Sequence, residues 1–557
     1  MFSQGSETGK PNPGRHALML RPKVAKIMTT PCTHPSCGCS CRAGSHPQLP
    51  AAAALTRRHF LGRIGAVSAA GVVLPPWQVL GGGKTDLALP VRPPLPAQPL
   101  RVQPVLTYQL PQRREGTSWR GWGAIQTEQH VAEEKKRIEA ELGRVRRQCG
   151  VALEILPLAT AQNPSQGEAL GKGPHDVMLV YAASGDGRIL EALVKPEKWN
   201  LMFLRHDSGP VYLWYEIVHP RFLRKTVDQY GHPGMDVQDV VVDRTEELAW
   251  RLRALHGLKN TLGKRIVAIG GAGGWGEGGR KAPEMARTLW KMELVDCPYT
   301  ELEPRLKAAY QDADLVKRCE AAARQYLRGP RTSLHTTMDF VNKAFVLNEV
   351  MKDLMAEAKT DAITVQHCMG TIMRVSQTTA CLPLSLLNDE GYLAFCESDF
   401  VVIPSGILLH YVSGLPVFLN DPTTPHDNVV TLAHCTAPRK MDGRKAERAR
   451  ILTHFESDYG AAPKVEMRIG QVCTNLVPDF DCREWVGFEG RIVGNPFLDI
   501  CRSQIEMQVL GDSAALLQQM KGFHWMMSYG NFLRETGYAL SKVGVRFLDV
   551  SKSGGKA

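Results

Sequence analysis

Three polar residues in the stretch 381–438 each follow an apolar run. Glu397 comes after Tyr392–Cys396, Asp421 after Val417–Leu419, and His434 after Val429–Ala433. Any one of them would suit a helix cap or a turn. Together they are two carboxylates and a histidine at the ends of buried segments in one neighbourhood. That set supplies the oxygen and nitrogen donors a divalent cation requires.

A second candidate is rich in glycine. The strand-like Arg265–Ile269 runs into Gly270-Gly271-Ala-Gly273-Gly274-Trp-Gly276-Glu-Gly278-Gly279, in which Gly271, Gly273 and Gly276 satisfy G-x-G-x-x-G. Asp296 follows 25 residues after Gly271, at the end of the strand-like Met292–Val295. In a dinucleotide fingerprint the glycines admit the phosphates and the acid takes the ribose. There the helix begins inside the motif, so that its N-terminus faces the pyrophosphate. Here Gly278-Gly279-Arg280-Lys281 intervene and Pro283 marks a later first turn. A loop at a sheet's carboxyl edge, lining a site, is the favoured reading. An NAD(P)-dependent sugar oxidoreductase using the Gly271 loop is the alternative. His454-Phe-Glu456-Ser-Asp458 has the polarity of a site, but on a strand its three ionisable residues would share one exposed face. Trp119, Trp122 and Trp275 lie in Gly-rich text and could stack on sugar rings, although packing is the commoner fate of a tryptophan.

These residues need elements to hold them. Beyond the Pro-rich stretch Pro90–Gln103, strand and helix patterns alternate. Val102–Tyr108, Val151–Leu156, Asp176–Tyr181 and Leu201–Leu204 read as short strands, and Thr127 can cap a helix running to about Gln148. A second unit of this kind starts at Val240, with a helix at Glu246–His256 and the strand Arg265–Ile269. Helices follow near Met285–Lys291, Leu302–Ala309, Leu315–Leu327 and Thr336–Glu357, then the strand Ile363–Gln366. From about Pro416 the text turns to short β-branched strands. The fold class is α/β: a first α/β domain over 98–240, a second over 241–412 carrying Glu397, and a β-rich C-terminal domain over 413–557.

The charge sits elsewhere. The 557 residues carry a net +11, which invites a nucleic-acid reading. Residues 1–63 hold nine Lys/Arg and one Glu, and the chain from Gln98 onward is left with about +2. The basic segment ends in Thr56-Arg57-Arg58-His59-Phe60-Leu61, followed by the uncharged run Ile64–Leu74. A positive region before so short an apolar run is an export signal rather than a span. The arginine pair before Phe-Leu resembles a twin-arginine signal. Residues 1–97 are therefore leader and linker. The expected partners are the twin-arginine export machinery, no nucleic acid and no stable membrane span, with a periplasmic or extracytoplasmic destination. Cys32, Cys37, Cys39 and Cys41 are too tightly spaced for an ordinary zinc site, and the other ten cysteines suggest no disulfide framework.

The stretch 381–438 resembles the catalytic region of the L-fucose and L-arabinose isomerase superfamily. Glu397-Ser-Asp399 is similar to the family's Glu-x-Asp element, and Phe418-Leu-Asn420-Asp421 to its second carboxylate, which the arabinose isomerases place where this chain has Asn420. Ala433-His434-Cys435 is similar to the following histidine element, and Phe523-His524-Trp525 to the C-terminal one. The resemblance implies two Rossmann-like domains before the β-rich one, and aldose–ketose isomerisation through an enediol. It implies Mn²⁺ held by Glu397, Asp421 and His524, with the two carboxylates as acid and base. Asp399, His434 and Asn420 would orient ligands or contact the sugar. It also implies a monosaccharide substrate and a homo-oligomer. A non-catalytic carbohydrate-binding protein on the same scaffold is the remaining reading.

Overall fold

The computed structural model describes residues 88–217 and 232–552. The Arg57-Arg58 signal and the Cys32–Cys41 stretch lie outside the described residues. The chain is a mixed α/β protein with parallel sheets and a C-terminal antiparallel, barrel-like sheet.

The first sheet is parallel throughout, in the order Leu153–Ile155, Leu100–Thr107, Val177–Ala182, Trp199–Leu204, Val240–Val242. Its apolar runs are buried on both faces, as parallel strands under helices must be. The long helix Glu128–Cys149 begins where expected, with the Thr127 hydroxyl accepting from His130 N, and stops at Gly150 in the left-handed region. Val240–Val242 departs from the sequence reading. Instead of opening the second unit, it pairs with Trp199–Leu204 at the edge of the first sheet. A three-residue strand carries no signal of which sheet it joins.

The second sheet, also parallel, runs Leu393–Cys396, Ala362–Val365, Arg265–Ile269, Glu293–Cys297. The C-terminal sheet has seven strands. Phe418–Pro422 lies between Trp525–Tyr529 and Val429–His434, and a further pairing of Val472–Val477 with Glu484–Gly494 curls the sheet round on itself.

One helix joins these two layers. Ile403–Ser413 starts directly after Asp399, whose carbonyl takes Ile403 N at 3.0 Å. Pro404 sits in its first turn and Gly414 closes it at φ 68°. Ile407, Leu408 and Leu409 are fully buried, each contributing about 1.5–3 kcal/mol of burial. A Cβ on Gly406 would stand 2.6 Å from Met526 Cε and 2.7 Å from Phe395 Cε1. That glycine lets the helix wedge between the strand that leads to Glu397 and the strand that follows His524. Among the described residues, no helix is long and apolar enough to cross a membrane.

Candidate metal centre

Glu397 stands at the carboxyl end of Leu393–Cys396, where the chain turns sharply. Glu397 and Ser398 adopt φ 61° and 47°, left-handed values that cost non-glycine residues about 1–3 kcal/mol each. The surroundings hold the turn in place. Gly273 N donates to Ser398 O at 3.1 Å, and Phe400 N donates to Gly273 O at 3.0 Å. A Cβ on Gly273 would meet the Gln366 amide at 2.8 Å. The glycine-rich loop is thus a brace against the Glu397–Asp399 element. Its glycines permit backbone-to-backbone approach, and the helix Ala282–Thr288 begins only after a further turn at Gly278–Lys281. Asp296 is exposed on the neighbouring strand. Among the described residues, no α-helix N-terminus meets Gly271–Gly276 as the dinucleotide reading requires.

The second sheet and the barrel meet at four side chains. His524 Nε2 lies 3.4 Å from Glu397 Oε2 and 3.2 Å from Asp421 Oδ1, and His434 Nε2 lies 3.7 Å from Glu397 Oε1. One ligand atom each from Glu397, His434 and His524 falls within 4.8 Å of the others. Ligand atoms held about 2.1 Å from one ion stand roughly 3–4 Å apart. His434 Nε2, His524 Nε2 and Asp421 Oδ1 are all buried without a hydrogen-bond partner. Three orphaned polar atoms facing one point fit a divalent cation, since buried polar groups are otherwise paired.

The far sides of both rings are tied down. Asp399, 1% exposed, holds His524 Nδ1 at 2.7 Å through Oδ2, while its Oδ1 accepts from Val401 N and Trp275 N. His434 Nδ1 meets the Thr436 hydroxyl at 3.0 Å. A proton on each Nδ1 leaves the Nε2 lone pair for a metal, the arrangement by which partners behind a ligand orient it. Burial disfavours charge on all three central groups, but their mutual contacts prevail. The hydrogen bond to Asp399, with the Asp421 and Glu397 carboxylates close by, carries His524 well above the ordinary imidazole range. The Glu397 carboxylate beside it raises His434. The two histidines in turn hold the Glu397 carboxyl far below the usual carboxylate range.

The structure therefore brings together Glu397, Asp421, His524 and His434, with Asp399 buried behind His524. Asn420 does not join them. Consecutive strand residues point to opposite faces. Asp421 faces the cluster, and Asn420, fully buried, donates back to Phe418 O at 2.9 Å. His454–Asp458 is a turn rather than a strand, closed by Asp458 N donating to His454 O at 3.0 Å, so its three polar residues share no strand face. Trp275 was legible as an aromatic in glycine-rich text, but not as a partner of Glu397: its Nε1–H donates to Oε2 at 2.6 Å. Trp275, Gln366, Cys368 and Glu397 line an open cleft of about 420 Å³. Cys368 and Cys396 also stand near Glu397. The contact with Cys368, reinforced by burial, pushes the Cys396 thiol well up in the metal-free protein.

Neither a family model nor a curated protein matches the chain.

Proposed function

We propose that this chain is a metal-dependent aldose–ketose isomerase with a fucose isomerase-like arrangement of two Rossmann-like domains and a barrel. One observation carries the reading: Glu397, Asp421, His434 and His524 converge from two sheets, with three buried donor atoms left unpartnered. Sequence positions 397, 421, 434 and 524 have no local reason to meet.

When bound there, a divalent cation such as Mn²⁺ supplies Lewis-acid charge for the two adjacent sugar oxygens. The remaining chemistry belongs to the chain. Isomerisation removes the C2 proton of an aldose while O1 gains a proton, giving the enediol; C1 then gains a proton as O2 loses one. Glu397, which lines the cleft, and Asp421, across His524 from it, with side chains 18% and 29% exposed, are the carboxylates that can take and return these protons. Asp399 and Thr436 fix the histidine rings, so that neither Nε2 turns away during the transfer. The same reading carries a homo-oligomer and export by the twin-arginine route at Arg57-Arg58.

The test is proton exchange. The protein, loaded with Mn²⁺ and given a panel of aldoses in D₂O, is expected to form ketose and to incorporate deuterium at C1 or C2, seen by NMR. Glu397→Gln is expected to abolish both. Saturable sugar binding with no exchange on any sugar would replace the isomerase with a carbohydrate-binding protein.

A further inference from the structure

Trp275 touches both halves of the centre. Its backbone N donates to Asp399 and its indole Nε1–H to Glu397 Oε2, while its ring stacks on Phe523 with centroids 4.0 Å apart and planes 8° from parallel. Phe523 immediately precedes His524 in the chain. Trp275 thus bonds to the acid supplied by the second sheet and packs on the segment that supplies the barrel's histidine. It does so while 40% exposed, and Phe523 is 46% exposed. Two large aromatic rings so open to solvent contribute little as core.

The carboxylate of Glu397 is divided between two histidines, Oε1 toward His434 and Oε2 toward His524. Left alone, a carboxylate beside two histidines gains most by turning to pair closely with one of them. A directional N–H on Oε2 opposes that rotation. The loop is built to deliver it. Gly273 and Gly274 allow the approach that a side chain would block, a Cβ on Gly274 falling 2.1 Å from Gly279 O, and Gly276 turns the chain at φ 65° directly after the indole.

We propose that Trp275 is a positioning residue for the centre: its indole N–H sets the orientation of the Glu397 carboxylate, and its stack on Phe523 sets the approach of His524. This rests on the metal-centre reading above, and the experiment separates the two. Mn²⁺ is titrated into the wild-type protein and into Trp275→Phe, which keeps a ring over Phe523 and loses only the N–H. Free Mn²⁺ is followed by electron paramagnetic resonance, and the spectrum of bound Mn²⁺ is recorded at saturation. The expected result is affinity lower by about 10–100-fold, the usual cost of removing a group that orients a ligand. An altered bound-Mn²⁺ spectrum at unchanged melting temperature is also expected. Phe523→Leu, which keeps the N–H, is expected to lose less affinity, and Trp122→Phe, in a loop where it packs on Trp214, none. Equal affinity and the same bound spectrum in Trp275→Phe would overturn the proposal while leaving the centre intact. A loss of affinity that tracks a fall in melting temperature, with the bound spectrum unchanged, would also overturn it. Absence of Mn²⁺ binding in the wild type would instead overturn the metal centre.

Discussion

Two buried clusters of charge sit at the carboxyl ends of two parallel sheets, and they are finished differently. At the end of Trp199–Leu204, the fully buried Arg205 guanidinium reaches Glu134 at 2.5 Å and Glu141 at 3.1 and 2.8 Å, with the Ser208 hydroxyl at 3.1 Å. Tyr212 donates its hydroxyl to Glu134. Cation and carboxylates answer one another, which is how a protein keeps charge in its interior for structure. At the end of Leu393–Cys396, by contrast, His434 Nε2, His524 Nε2 and Asp421 Oδ1 face inward with no hydrogen bond. Both clusters combine acids and bases beside a strand end, the first with its acids on the helix Glu128–Cys149. Only the second leaves donors open toward a common point, and that openness, rather than burial or charge, makes it the candidate site.

The comparison can be broken in three ways, beginning with the largest effect. Glu141→Ala removes the two-point partner of Arg205 and is expected to cost about 3–5 kcal/mol in denaturant unfolding. Mn²⁺ stoichiometry should not change; a change would join the two clusters functionally. Next comes acid. Burial holds His256 down to about 4, so the folded state resists a proton that the unfolded chain accepts near 6.5. Its contribution is full above pH 6.5 and is lost as the pH falls from about 6.5 toward 4, roughly 3 kcal/mol in all. His256→Gln should flatten that slope. The centre's histidines act with the opposite sign. In metal-free protein their raised values give stability that is present at low pH and lost as the pH rises through them. Mn²⁺ should remove that alkaline loss by replacing the protons. An alkaline loss of the same size with and without Mn²⁺ would disconnect the histidines from the metal. Smallest is Asp399→Asn, which keeps the shape but weakens the hold on His524 Nδ1. It is expected to lower Mn²⁺ affinity by about 10–100-fold with little change in melting temperature.

Much of the centre was legible because its residues end buried strands. An apolar run of three to five residues leading to Glu397, Asp421 or His434 is a strand delivering a polar side chain to its edge. The two-residue period of a strand also carries information that a motif does not: once Phe418–Pro422 is extended, Asn420 and Asp421 cannot face the same site. His524 has no such signature, since it precedes its strand, and only the resemblance singled it out. Trp275 was out of reach for another reason. Its bond to Glu397 spans 122 residues and depends on how a loop folds across a neighbouring strand end, which no local pattern encodes. The helix Ile403–Ser413 was not read from the sequence: Pro404 and Gly414 bound it, but the need for Gly406 appears only when Met526 and Phe395 are packed against it.

The central claim is that these four side chains hold one divalent cation. The direct measurement is elemental analysis of the protein as purified and after equilibration with Mn²⁺, in the wild type and in Glu397→Gln. About one ion per chain in the wild type, lost in Glu397→Gln with the fold retained by circular dichroism, is the expected result. A wild-type protein that is folded yet takes up no ion at saturating Mn²⁺, or a Glu397→Gln variant that keeps its full complement, would contradict it.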